Sequence, residues 1–228
     1  MTATVVTLPP WEQALVWAGF PVLGAGLGWG IKAIAGWAIT LPWVPFDKPL
    51  EFIASLPEPH VTIGALAVGG VAGLVLAFLA IADHVVITVD DDGASLVYGD
   101  SRQEVRRADV GAAFLDGKAV VLLGHATEEI ARSRGSLPSA ARIRDAFVRH
   151  GYPWHADGDP HREEFRRWVE DHPELSPTAN ALLRARARAV EKDRGDDAAE
   201  LRAELARLGV VVRDRDKRQH WRRVPGDD

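Results

Sequence analysis

The sequence predicts a membrane α-helical hairpin joined to a soluble α+β part, in which a small β-domain with one closing helix precedes a helical-hairpin module. Three observations carry that prediction. Val61 to Ala82 runs without a single charged residue, long enough to cross a bilayer as a helix and apolar all the way round. Two β-branched stretches flank Asp91-Asp92-Gly93-Ala94, a hairpin signal. From Leu182 to Leu208, alanine and leucine recur at helical spacing.

Composition divides the chain in the same way. Of its 27 Lys and Arg residues, only Lys32 and Lys48 fall within the first 82 positions. A net charge of −5 is too small for capture of a polyanion by the protein as a whole. The absence of cysteine excludes disulfides, thiolate zinc sites and cysteine nucleophiles, and suits a reducing cytoplasm.

Residues 1–83 form the predicted two-span hairpin. The N-terminus lacks a basic region and a small-residue cleavage site, so no removable signal is expected. A first span is predicted over Trp11 to Ile34, with Lys32 snorkelling at its end and Trp37 and Trp43 suited to an interfacial belt. Gly24, Gly26, Gly28 and Gly30 lack the preceding strand and following acid of a dinucleotide loop. As i, i+4 pairs, Gly24 and Gly28 instead match a stripe of Ala65, Gly69, Gly73 and Ala77 in the second span, which suits close helix packing. The stripe serves the hairpin packing on itself or, alternatively, a homo-oligomer. The loop Asp47 to His60 is acidic, whereas Arg102, Arg106 and Arg107 follow the second span. The positive-inside rule then predicts a multi-pass cell-membrane protein with both termini cytoplasmic.

Residues 84–154 form the predicted β-domain: strands around the Asp91-Asp92-Gly93-Ala94 turn, further strands around Asp116-Gly117, a short strand within Thr127 to Arg134, and a helix over Ser139 to His150. Asp109-Val110, Phe114-Leu115-Asp116-Gly117-Lys118 and Ala146-Phe147 through Gly151-Tyr152-Pro153-Trp154 carry a resemblance to a bacterial pleckstrin-homology-like (PH-like) domain. Two spans followed by such a domain and GYPW resemble the actinobacterial YqeB membrane-protein family. The resemblance implies a sandwich of five to seven strands capped by a helix. Lipid head-group binding is not carried over, because Asp90, Asp91 and Asp92 stand where a phosphate reader needs Lys or Arg.

Residues 155–177 are predicted to be a linker with an amphipathic helix on Phe165, Trp168 and Val169, stopped by Pro173. Ser176 then caps a new helix with Pro177 at its first position. Residues 178–228 form the helical module, with Gly209 closing its second helix before the strand Val210-Val211-Val212. Arg184, Arg188, Lys192-Asp193, Ala198, Leu201-Arg202, Leu205, Leu208-Gly209-Val210, Asp214 and Trp221-Arg222 carry a resemblance to the C-terminal anticodon-binding module of bacterial cysteinyl-tRNA synthetases. That family's Gly-Thr before the tryptophan is Gln219-His220 here. The candidate RNA- or partner-binding residues are Arg184, Arg188, Arg202, Trp221 and Arg222, since basic side chains with an aromatic for stacking engage single-stranded RNA.

No nucleophile elbow, phosphate loop or zinc-helix motif occurs, and no catalytic residue, metal or cofactor is expected. His155, Asp157, Asp159 and His161 have ligand-capable groups but lie on a Gly and Pro loop without fixed geometry. The sequence therefore predicts a membrane-tethered scaffold or binding module. Its expected partners are the lipid bilayer, an unknown protein, and alternatively tRNA or another RNA. A transporter or channel accessory subunit and a metal-dependent enzyme using residues 155–161 are the competing readings.

Overall fold

The computed structural model describes residues 2–38, 59–82, 84–133, 135–216 and 218–225. Trp43 and the loop from Asp47 to Glu58 lie outside the described residues. The chain divides into two compact units, residues 7–84 and residues 1–6 with 85–228.

Strand β1 (Thr4–Val6) belongs to the soluble unit and not to the hairpin, contrary to the expected boundary at 83. Its β-branched triplet pairs antiparallel with β2, Thr4 opposite Val89, and buries Val6 in the core.

The hairpin unit holds α1 (Pro10–Ala38) and α2 (His60–Ala82). Large apolar side chains on both helices point outward: Val22 is 70 % exposed and Val68 72 %. The small residues meet instead. A Cβ on Gly24 or Gly69 would lie 2.1 Å from the other's carbonyl oxygen, and Gly28 abuts the Ala65 carbonyl. Gly73 sits against Phe20 and Pro21, where α1 lacks one amide donor, and Ala77 is fully buried. Lys32 donates to Thr62 Oγ1 across the pair at 2.6 Å.

In the soluble unit, β2 (Val86–Val89), β3 (Gly93–Tyr98) and β4 (Ser101–Arg106) complete a sheet of order β1-β2-β3-β4. Asp90 closes the first turn by accepting from the amides of Asp92 and Gly93. Strands β5 (Ala112–Asp116), β6 (Ala119–Leu123) and β7 (Glu129–Arg132) follow, then α3 (Ala140–Arg149) and β8 (Trp154–His155), giving a second sheet of order β7-β6-β5-β8. The eight strands among the described residues exceed the five to seven implied by resemblance because β1 and β8 are recruited at the sheet edges. One core joins both sheets to α3 through Ile87, Leu96, Val120, Leu122, Ile143 and Phe147.

The expected amphipathic helix after Pro160 is absent. Residues 162–164 form one 3₁₀ turn, and Arg166–Arg167 is a short strand, β9. Tertiary bonds outweigh the helical spacing here. The Trp168 amide donates to the Gln219 carbonyl, while Asn180 accepts from Trp168 Nε1 and the His172 amide and donates to the His172 and Leu175 carbonyls.

The module comprises α4 (Pro177–Glu191), α5 (Gly195–Arg207), β10 (Val210–Arg215) and β11 (Arg218–Arg223). Ser176 caps α4 by accepting from the Ala179 amide, and Gly209 leaves α5 at φ +68°. A three-stranded sheet of order β10-β11-β9 backs the helices, and Leu183, Leu205, Val212 and Trp221 form its core.

Candidate functional site

The soluble unit contains a groove of about 690 Å³ between the β-domain and the module, bounded by β4 and β7 on one side and α4 and α5 on the other. Gln103 of β4 ties the two sheets together at its edge, exchanging hydrogen bonds with the backbone of Arg132 in β7 at 3.0 and 3.1 Å. Three arginines from three elements, Arg132, Arg186 and Arg202, line the groove with Asp214.

These charges are arranged as a chain. Arg132 binds Asp116 at 2.7 Å and Glu129 at 3.3 Å. Burial opposes the charge on Arg132, but the two carboxylates prevail and raise its pKa. Arg186 forms a bidentate pair with Asp214 at 2.8 and 2.6 Å and donates to Gln219 Oε1 at 2.7 Å. Burial pushes Asp214 upward, yet the Arg186 hydrogen bond and the charges of Arg186 and Arg202 hold it below the usual carboxylate range. Asp116 is treated alike: burial raises it, and Arg132 and Arg213 more than reverse this. Arg213 lies over the rings of Phe114 and Phe165 and reaches Asp159 at 2.5 Å.

The expected binding residues fall in different settings. Trp221 is fully buried, with Arg166 over its ring at 4.8 Å and His172 edge-on at 5.1 Å, so it offers no face to a base. Arg222 is also buried, donating to the Thr127 hydroxyl and carbonyl of the β-domain at 2.9 and 2.5 Å. Their expected role as a surface RNA contact is corrected: β11 turns both side chains into the module core and its seam with the β-domain. Arg184 binds Glu170 and Asp171, Arg188 is exposed, and Arg202 lines the groove. Arg132 and Arg186, unnamed from the sequence, join Arg202 there. The charge-pair register gave one clue: Arg186 and Arg202 lie one helix apart with Asp214 on the next strand.

Of the possible metal ligands in the 155–161 loop, Asp159 accepts from the His161 amide and binds Arg213, while His161 Nδ1 meets Glu164 at 2.7 Å. No group of three or more ligand-type side chains among the described residues is placed to hold a metal ion.

A double sheet capped by one helix, with two long apolar helices inserted between its first and second strands, defines a bacterial PH-like domain carrying a helical hairpin. Residues 4–155 match the profile of the YqeB-like bacterial PH domain. A relative in Bacillus subtilis (strain 168), Uncharacterized protein YqeB, is 37 % identical over 209 residues, covering 92 % of this chain and 87 % of the relative. The chain belongs to the YqeB-like family. Residues 172–222 are similar to the cysteinyl-tRNA ligase anticodon binding domain. No solved structure matches the chain.

Proposed function

We propose that the chain is an integral membrane protein that crosses the bilayer twice and displays its soluble unit in the cytoplasm as a non-catalytic binding or scaffold module. One observation carries this reading: the hairpin inverts the burial pattern of a water-soluble protein. Glycine and alanine lie between the helices, and Leu, Val, Ile and Trp lie outside. In water that arrangement exposes a large continuous apolar surface. In lipid it is the favourable one, because close backbone approach holds the helices and the tails solvate the rest. Pairing of β1 with β2 supports two crossings, since one crossing would put these strands on opposite sides of the membrane.

A protein partner fits the module better than RNA. Arg184 and Arg222 already serve internal contacts, Arg202 lines the groove and Trp221 is buried, leaving Arg188 as the exposed member of the expected set. Membrane residence is tested by ultracentrifugation of a detergent-free lysate; recovery of the full chain in the supernatant, or its release from pelleted membranes by alkaline carbonate, would overturn it. The partner class is tested by titrating the full chain in detergent with tRNA at two salt concentrations. The expected result is no salt-sensitive binding, and a steep loss of affinity with salt would restore the RNA reading.

A further inference from the structure

The groove has a volume within the ordinary range of small-molecule sites. Its charged lining, Glu129, Asp196 and Asp214 as well as the three arginines, is set among short side chains. Ala199, Ala203 and Ala206 of α5 lie opposite Ser101, Ile130 and Ser133 of the β-domain, so backbone separation is not filled by side chains. The arginines in it are unequally provided for. Arg132 reaches two carboxylates, Asp116 and Glu129, and Arg186 takes both oxygens of Asp214. Arg202 reaches only one of those same oxygens, at 3.4 Å, while its Nε, like that of Arg186, is buried without a hydrogen-bond partner among the described residues.

We propose that Arg202 makes this groove a binding site for a small oxyanion, a carboxylate or phosphate monoester carried on an apolar body. A guanidinium binds such groups through charge-assisted hydrogen bonds. The alanine wall and Ile130 receive the apolar remainder. Burial, reinforced by the charges of Arg132 and Arg186, outweighs Glu129 and Asp214 and pushes Arg202 down to about 10. A ligand anion beside it supplies the compensation that the fold withholds. The proposal rests on the reading of the chain as a binding module, and it does not depend on the bilayer.

The test uses the full chain in phosphatidylcholine nanodiscs, with incorporation scored first. A failed membrane reading then shows as protein outside the discs, and the binding arm is run on that protein instead. Thermal unfolding is followed with benzoate, with phenyl phosphate and with benzyl alcohol as the neutral control, all at fixed ionic strength. Both anions are expected to raise the unfolding temperature by several degrees, and benzyl alcohol to leave it unchanged. Arg202→Met is expected to unfold no earlier than the native chain while losing the anion response, because an apolar isostere replaces a poorly compensated buried charge. Discs containing phosphatidic acid distinguish the sources of the anion. A benzoate response already saturated there assigns the site to a lipid phosphate, and an undiminished response assigns it to a soluble ligand. The proposal is overturned if neither anion stabilises the native chain, if Arg202→Met keeps the response, or if that variant unfolds markedly earlier, which marks Arg202 as purely structural.

Discussion

The two units solve the packing problem in opposite ways with much the same residue types. In the hairpin, contact is made by the smallest residues, and the large apolar side chains face outward. In the soluble unit the large ones are inside, with Trp221, Phe114, Phe147 and even Arg186 and Arg222 fully buried or nearly so. On the proposed membrane reading, the difference lies in the solvent each unit is built for. In water, area removed from solvent drives packing, at about 25 cal/mol per Å². Between lipid tails that drive is absent, and backbone proximity takes its place. Arg186 and Arg222 are tolerated inside the soluble unit because the Asp214 carboxylate and the Thr127 carbonyl meet their planar forks.

The largest effect that would sharpen this comparison is expected at Trp221. Trp221→Ala removes the largest buried side chain of the module, and truncation of a core tryptophan costs about 3–5 kcal/mol. Urea-induced unfolding of the soluble unit within the full chain should shift accordingly. A shift within the range of surface substitutions would place Trp221 back on the outside. The corresponding change in the hairpin adds bulk instead of removing it. Gly69→Leu would set a Cβ 2.1 Å from the Gly24 carbonyl oxygen. Backbone cannot give way as a flexible side chain does, so a loss at or above the upper end of the usual overpacking cost, about 3 kcal/mol, is expected. It should appear as a lower SDS midpoint for the hairpin, with the urea midpoint of the soluble unit unchanged. The opposite substitution, Val68→Ala on the outward face, should leave helix pairing intact.

The comparison also explains what could be read from the sequence. Both long helices were legible because absence of charge over a bilayer's length is a local property, and the strands around Asp91 and Asp116 were legible because turn chemistry is local too. The segment from Pro160 to His172 misled because its Phe165, Trp168 and Val169 spacing is helical, while Asn180 and β11 claim its backbone from afar. β1 is not legible in the sequence because three residues are too few to show alternation. Trp221 reads as a surface aromatic while the strand is followed only to Val212. A second strand after the turn at Asp216 sets Trp221 opposite Val212, and that pairing predicts burial. Arg202 is legible as a basic residue of the module, but its groove is not, since it depends on contacts such as Arg186 to Asp214 across 28 residues.

A smaller effect separates the units by acidity. Asp116 and Asp214 titrate below their unfolded range, because their arginine partners overcome burial. The unfolded chain therefore takes up protons first as pH falls. Their stabilising contribution is complete well above about pH 4 and is lost as pH drops through that value toward the folded pKa. Asp214→Asn should lower stability at neutral pH by about 1–2 kcal/mol, discounted for its partial exposure, and should flatten the acid limb. An acid limb as steep as that of the native chain would exclude Asp214 as a source of the dependence. Within α1 and α2 Glu12 is the one carboxylate, so acid should change the pairing of these two helices, read as the SDS midpoint, less than it changes the urea midpoint of the soluble unit.

The smallest expected effect concerns how a helix begins in water. Ser176 Oγ accepts from the Ala179 amide at 3.1 Å, satisfying one of the first-turn donors of α4 that has no partner within the helix. Ser176→Ala should cost about 1 kcal/mol. Ser176→Asp, which retains a capping oxygen and adds a charge favourable at a helix N-terminus, should restore the loss or exceed it. Amide hydrogen exchange would localise the effect: the first turn of α4 should open faster in the alanine variant while the β-domain core exchanges at its native rate. If the β-domain core loosened as well, α4 would be contributing to the fold of both halves of the soluble unit, and the seam built by Arg222 and Thr127 would be the route.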